Sequence, residues 1–324
     1  MSESTSINYR YVFWGIYARS KRFFTTLGRD FANFIIRNPQ YFLCSIIYFF
    51  IASFLMGGVF VSFFIALLSY VISLFIAFTP LGEKILRFFE HVRKIETKRE
   101  KEYLLPLFEE VYTYAKQRNP ELKNVQLCII DKITVNAHAL GKRTIAVTKG
   151  AIEAFSPEEL KAIMAHEIAH IVHGDTMARL YISVGNGLFT AFVLVSQAFI
   201  FLAELIEKIA SKKKTSFNVA WVFIMIIKLL FLLILFVVQF LMKFVMSFSN
   251  RRSEFRADRY AYELGYGEHL VEAFYLMEKI QLGDNASIAQ KMTRDHPRIT
   301  ARIERIETLL DQENAMHSYP LPLN

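Results

Sequence analysis

Residues 156–175 read SPEELKAIMAHEIAHIVHGD. Ser156 can cap a helix, Pro157 fits its first turn, and Glu159 stands three residues after the Ser, so the stretch opens as a capped helix. Gly174 ends it. Within it, His166 and His170 are four residues apart and project from one helical face. Two imidazoles at that spacing can hold Zn²⁺ at about 2.0–2.1 Å each. Glu167 falls beside the metal, badly placed to ligate with the two His but well placed to take a proton from an activated water. Ala162, Ile163, Ala165, Ile168 and Ala169 make the helix apolar and predict its burial. Two buried His flanking a Glu need a partner, and a metal supplies one. One zinc ion per chain is the expectation.

A catalytic zinc takes a third protein ligand and keeps one position open. The candidates are His173, Asp175, Glu254, Asp258, His269 and His296. Spacing alone does not choose among them. Glu254 and Asp258 stand out because they are four apart on a predicted helix.

The surrounding chain is apolar. Of its 324 residues, 53% are hydrophobic and 21% charged, and its mean hydropathy is +0.28. Thirty-one Phe and 15 Tyr against 13 Gly and 8 Pro exclude a disordered, collagen-like or low-complexity protein. The net charge is +8, but the Lys and Arg flank apolar segments. That pattern points to a lipid bilayer and not to nucleic acid. Cys44 and Cys128 cannot form a disulfide framework, and nothing indicates an oxidising compartment.

Tyr41 to Thr79 carries no charged residue. As one helix it would be about 58 Å long, nearly twice a hydrocarbon core of about 30 Å. It is therefore read as a hairpin, Tyr41–Met56 out and Val59–Phe78 back, turning at Gly57-Gly58. Leu180–Ala203 is a third apolar run and Phe217–Met242 a fourth, interrupted only by Lys228. Gly185, Asn186, Gly187, Ser196 and Gln197 make the third run polar for a span, which fits either a face turned to other helices or a run that only partly crosses the bilayer. Lys228 reads as a snorkelling or paired side chain.

The first 40 residues hold six Lys/Arg and two acids, with Phe13, Ile16, Tyr17, Phe24, Leu27, Phe31 and Phe34 at helical spacing. They read as a basic amphipathic helix on the membrane surface. No cleavable leader is expected, since the first apolar run begins too late for one. The basic residues before the first hairpin, and Lys84, Arg87, Arg93, Lys94, Lys98 and Arg99 after it, orient both segments to the cytoplasm. Lys208 and Lys212–Lys214, between the third and fourth runs, oppose that rule. Residues Glu83–Gln117 read as helix, and Val125–Ile130 and Thr144–Val147 as strands. The expected layout is a basic segment at 1–40, a hairpin at 41–79, the first soluble part at 80–176, a second hairpin at 177–247 and a helical soluble part at 248–324.

These residues resemble the HtpX-type membrane zinc metallopeptidases, relatives of the CAAX prenyl endopeptidases, from about Val135 to Ile303. Four blocks carry the likeness. They are Asn136-Ala137-His138-Ala139-Leu140-Gly141, the zinc helix with Gly174-Asp175, the block from Arg251 to Asp258, and His296-Pro297 with Arg302. Asn250 stands where the family usually has Ser. The resemblance implies a mainly α-helical integral membrane protein with four transmembrane helices. It also implies a gluzincin-like α+β zinc peptidase domain, split by the second membrane hairpin.

The resemblance further implies that Glu254 is the third zinc ligand and Glu167 the general base. Asp258 would orient a zinc-bound His; Asp175, read from the residues alone, is a turn or helix cap or a further support of the site. His296 would help hold the tetrahedral intermediate, positioned by Arg302. On our own reading, Asn136–Gly141 is either a turn beside an edge strand or, through Asn136 and Ala137, a contact for the substrate backbone, and an edge strand near Thr144–Val147 would receive an extended peptide. The expected activity is cleavage of membrane proteins or peptides, in quality control, from the cytoplasmic face of a bacterial inner membrane. A prenyl-protein endopeptidase is the alternative among enzymes. An inert zinc-binding membrane scaffold is the alternative outside them.

Overall fold

The computed structural model describes residues 9–37, 39–55, 60–210, 219–283 and 299–318. The Gly57-Gly58 turn, Lys212–Lys214 and His296-Pro297 lie outside these residues. The first helices are α1 (Tyr9–Arg37), α2 (Pro39–Leu55), α3 (Phe60–Phe78) and α4 (Pro80–Phe89). Strand β1 (Val92–Lys94), α5 (Lys98–Arg118), β2 (Gln126–Ile130), β3 (Ala137–Leu140) and β4 (Thr144–Thr148) follow. Then come α6 (Lys149–Ala154), α7 (Pro157–His173), α8 (Thr176–Arg179), a π-helical turn (Leu180–Asn186) and α9 (Gly187–Ala210). The chain closes with α10 (Val219–Ala261), a second π-helical turn (Tyr262–Tyr266), α11 (Gly267–Gly283) and α12 (Ile299–Ser318).

The strands form one sheet in the order β1-β2-β4-β3, with β2 and β4 parallel and the two outer pairs antiparallel. Period-two alternation sorts its side chains into two cores. Leu127, Ile129, Ile145 and Val147 face α5, α7, α11 and α12. Cys128, Ile130 and Ala146 face the opposite way, toward α4, α1 and the first π-helical turn. The edge strand expected at Thr144–Val147 is corrected: β4 is buried at every position and lies inside the sheet. A run apolar on both faces marks an interior strand. The edges are β1 and β3, and β3 lies within the Asn136–Gly141 block.

The single helix expected over Glu83–Gln117 is also corrected. Helix α4 ends at Phe89, His91 adopts a φ of 56°, and Val92–Lys94 pairs with β2. Helix α5 restarts behind a Thr97/Glu100 capping box. Arg93 fixes the reversal, lying 2.5 Å from Glu100 and 2.8 Å from Asp131. Upstream, α3 and α4 meet at an 82° bend. Gly82 permits it, because a Cβ there would stand 2.3 Å from the Ala77 carbonyl oxygen.

Among the described residues, Thr176–Ala203 is one helix long and apolar enough to cross a membrane, and the bent pair Phe63–Phe78 and Pro80–Phe89 would be a second. Buried polar contacts stitch α2, α3 and the first π-helical turn. Tyr70 donates to Asn186 at 3.2 Å, and Tyr181 donates to Ser45 at 2.5 Å. Of the small and polar residues in the third apolar run, Gly185 and Asn186 are therefore turned toward other helices, while Ser196 donates to Phe192 of its own helix. The 43 residues of α10 extend the fourth apolar run without a break through Glu254 and Asp258.

Candidate metal centre

Helix α7 presents two of the three converging side chains. The Ser156/Glu159 capping box and Pro157 start it, and Gly174 stops it in the left-handed conformation with φ 74°. A cap of this kind is worth about 1 kcal/mol. His166 and Glu167 are buried and His170 half-buried. Helix α10 brings Glu254 against them. Nε2 of His166 and Nε2 of His170 are 3.1 Å apart. Glu254 Oε2 lies 3.4 Å from the first and Glu254 Oε1 3.5 Å from the second. Among the described residues, these three form the one group of His, Cys, Asp and Glu whose ligand atoms all lie within 4.8 Å of one another.

The donor set fits a small divalent cation. A tetrahedral site with bonds of about 2.0–2.1 Å separates its ligand atoms by about 3.3 Å, which the three observed spacings bracket. Both imidazoles are oriented by their far nitrogens. His166 Nδ1 is 2.9 Å from Asp258 Oδ1, and His170 Nδ1 is 3.2 Å from Asp175 Oδ2. A carboxylate at Nδ1 holds the proton there and leaves the Nε2 lone pair for a metal. Arg256 donates to Asp175 at 2.7 Å and fixes it in turn.

Charge points the same way. Glu167, Glu254 and Asp258 are all buried, and one buried cation, Arg302, stands among them. Its guanidinium donates to both oxygens of Asp258, at 2.8 and 2.6 Å, and lies 3.2 Å from Glu254 Oε2. The Phe274 ring supports it from below at 4.1 Å. Three carboxylates against one guanidinium leave two negative charges, which a divalent ion neutralises. Without one, His166 carries the compensation. Burial alone lowers its pKa, but Asp258 and Glu254 outweigh that and hold it at about 9. Burial raises Asp258, and Arg302 outweighs it, so the carboxyl stays ionised.

The remaining sequence candidates take other places. His173 packs edge-on against Tyr260 at 5.8 Å, and His269 pairs with Glu272 at 3.0 Å on α11. Glu167 Oε2 accepts a hydrogen bond from the Ala139 amide of β3 at 2.7 Å. Asn136 and Ala137 begin the same strand, the Asn136 side chain accepting from the Ala137 amide at 2.8 Å. Arg302 is spent on the carboxylates behind the two His. Sequence reasoning overlooked Arg256, Phe274 and the Ala139 amide. Arg256 lies between Glu254 and Asp258 in the same block, so its position was a usable signal. The other two depend on tertiary contacts.

The chain is 29% identical to protease HtpX of Pseudomonas putida over 164 residues, covering 49% of this chain and 50% of that one. It is 27% identical to protease HtpX of Pseudomonas fluorescens over 208 residues, covering 58% and 67%. It thus spans about half the length of the first of these curated relatives. The crystal structure of S. mikatae Ste24p aligns at 18% identity with a TM-score of 0.47, covering 86% of this chain and 67% of that one. The model of peptidase family M48 matches residues 98–310, a stretch that holds α7, Glu254 and Arg302. By that match, the chain belongs to peptidase family M48.

Proposed function

We propose that the protein is a membrane-embedded zinc endopeptidase. The observation that carries this is the convergence of His166, His170 and Glu254 at tetrahedral ligand spacing, in a pocket short of two positive charges. Zinc, when bound, supplies the Lewis acid that makes a water acidic enough to attack a peptide carbonyl at neutral pH. Glu167 takes the proton of that water and hands it to the leaving amine. The Ala139 amide at 2.7 Å holds the Glu167 carboxylate at the edge strand, where an extended peptide would lie. Asp258 and Asp175 keep the two imidazoles aimed, and Arg302 keeps Asp258 and Glu254 ionised and in place. His296 is assigned as the donor to the developing oxyanion, on the His296-Pro297 and Arg302 pattern of the sequence.

The four apolar runs are assigned as membrane spans. The charge bias around the first hairpin supports a cytoplasmic catalytic domain in an inner membrane. The continuity of α10 from the fourth run to Glu254 supports a site close to the bilayer, and so membrane-protein substrates, including those cleared in quality control.

The test is a pair of variants in the detergent-purified chain. Glu167→Gln keeps the shape and loses the base, so it retains one zinc per chain while peptide cleavage disappears. Glu254→Ala loses zinc. Near-normal cleavage by Glu167→Gln, or full zinc retention by Glu254→Ala, overturns the assignment.

A further inference from the structure

A cleft of about 480 Å³ separates α1 from the catalytic domain and is lined by Arg29, Asp30, Lys123 and Lys142. It touches none of the converging ligands. A second cavity of about 150 Å³ shares Asp30, Lys123 and Lys142 with it and adds Arg143. The rest of that second cavity is lined by Phe23, Leu27, Phe78, Pro80 and Leu180, together with Thr26, Thr79 and Glu83. Phe78 ends α3, and Leu180 lies in the candidate span Thr176–Ala203. The two cavities thus run from a basic cleft to an apolar cleft at the level where membrane helices leave the domain.

The charges in this region do not balance. Asp30 is already paired with Lys142. Glu83 accepts from the Lys142 amide and from Thr144, both neutral, and keeps its charge. Arg118 is paired with Glu263. The acids left are Glu83 and Glu121, against Arg29, Lys123 and Arg143, so the region keeps a positive excess. Burial first, and then Lys142, Arg143 and Arg29, lower the pKa of Lys123, with Asp30 the one opposing charge among its main influences. Cations gathered beside an apolar cleft suit an amphiphile with an anionic head.

We propose that this cleft binds the phosphate headgroup of an anionic phospholipid, between Arg29 on α1 and Lys123 on the domain. Its acyl chains would lie along Phe23, Leu27 and Phe78. The lipid would hold the N-terminal helix to the catalytic domain at the bilayer surface, beside the Lys142–Asp30 pair. The proposal rests on the membrane placement given above. Because it is read by lipid binding in detergent, its failure is distinct from failure of the peptidase assignment.

The experiment uses the full chain, delipidated in a neutral detergent, with bound lipid counted by native mass spectrometry. Short-chain phosphatidylglycerol, phosphatidylcholine of the same acyl length and inorganic phosphate are titrated separately. Phosphatidylglycerol should bind at least tenfold tighter than phosphatidylcholine. Arg29→Ala and Lys123→Ala should each weaken it about fivefold and together about 25-fold, as expected for cations near an anionic headgroup. Both side chains are exposed, so the variants should fold, which circular dichroism checks. Lys98→Ala, on an exposed side chain that pairs with Glu102, is the control and should bind as the native chain does. Equal binding of the two lipids, or a double variant that still binds phosphatidylglycerol normally, overturns the proposal. Inorganic phosphate binding as tightly as phosphatidylglycerol would assign the cleft to a soluble phosphate compound and overturn the lipid reading.

Discussion

Replacing Arg302 with Met separates the electrostatic support of the metal site from its ligands. The side chain is 4% exposed, donates two hydrogen bonds to Asp258, and sits 3.2 Å from Glu254. Met fills most of the same volume over Phe274 but leaves two buried carboxylates without their cation. Breaking a buried pair from one side costs about 3–5 kcal/mol. For a domain of this size that corresponds to a fall on the order of 10 °C in Tm. Asp258 also loses its clamp on His166, and loss of such support typically costs 10–100-fold in metal affinity. The assays are thermal unfolding with saturating zinc, and zinc content after dialysis. Excess zinc should restore part of the turnover, because Arg302 positions the site without touching the reacting atoms. Arg302→Lys should recover part of the stability but not the zinc affinity, since an ammonium cannot span both Asp258 oxygens. An Arg302→Met protein with normal Tm and normal zinc content refutes the charge argument.

Two further outcomes can be stated briefly. Arg93, joined at Asp131 by Lys149, holds the carboxyls of Glu100 and Asp131 at about 2 each, below their unfolded values of about 4.3 and 3.9. Their contribution is therefore complete above about pH 4.5 and lost as pH falls through about 2. Arg93→Ala should lower stability by about 1 kcal/mol at pH 6, discounted because Asp131 is half exposed, and the gap should close as pH falls from 5 to 2 in thermal melts. A gap independent of pH would show that Arg93 acts by packing alone. For topology, a cysteine introduced at 94 or 320 should resist a membrane-impermeant thiol reagent in intact cells, and labelling at either position places the domain outside.

The zinc helix was legible because its signals are local. A cap, an i,i+4 His pair and a terminating Gly all fall within residues 156–174. The sheet was legible only in its strands. Val125–Ile130 and Thr144–Val147 declared themselves by composition, whereas their order depends on which faces are covered, and β-branched runs do not state that. Val92–Lys94 was hidden inside a helical pattern. Three residues cannot show a period, and the pairing of Arg93 with Glu100 and Asp131 is what holds them extended. The Thr97-x-x-Glu100 box was a readable sign that a new helix starts there. Glu254, the third converging side chain, lies on α10, 84 residues beyond His170. No local rule connects the two, so spacing alone could not choose it. Geometry gathers what composition could only enumerate.

The edge position of β3 yields the last prediction. The Thr148 amide of β4 donates to the Asn136 carbonyl, and the Asn136 amide donates to the Thr148 hydroxyl, so Asn136, His138 and Leu140 turn their backbone groups inward to the sheet. Ala137 and Ala139 turn theirs outward, where a peptide would add. The two outward amides are differently engaged: Ala137 N–H rests on its neighbour Asn136, and Ala139 N–H holds Glu167. A proline removes each donor in turn, and an edge strand tolerates one on its outward side. Ala137→Pro deletes a group whose native partner is easily exchanged for substrate. It should raise KM about two- to tenfold, the loss of one ordinary hydrogen bond, with kcat little changed. Ala139→Pro releases the Glu167 carboxylate from the strand and should lower kcat instead, with zinc content unaltered. The split between KM and kcat distinguishes this from general loosening of β3, which would move both parameters in both variants. Equal effects from the two prolines would refute the division of labour between the amides and return β3 to a purely structural role.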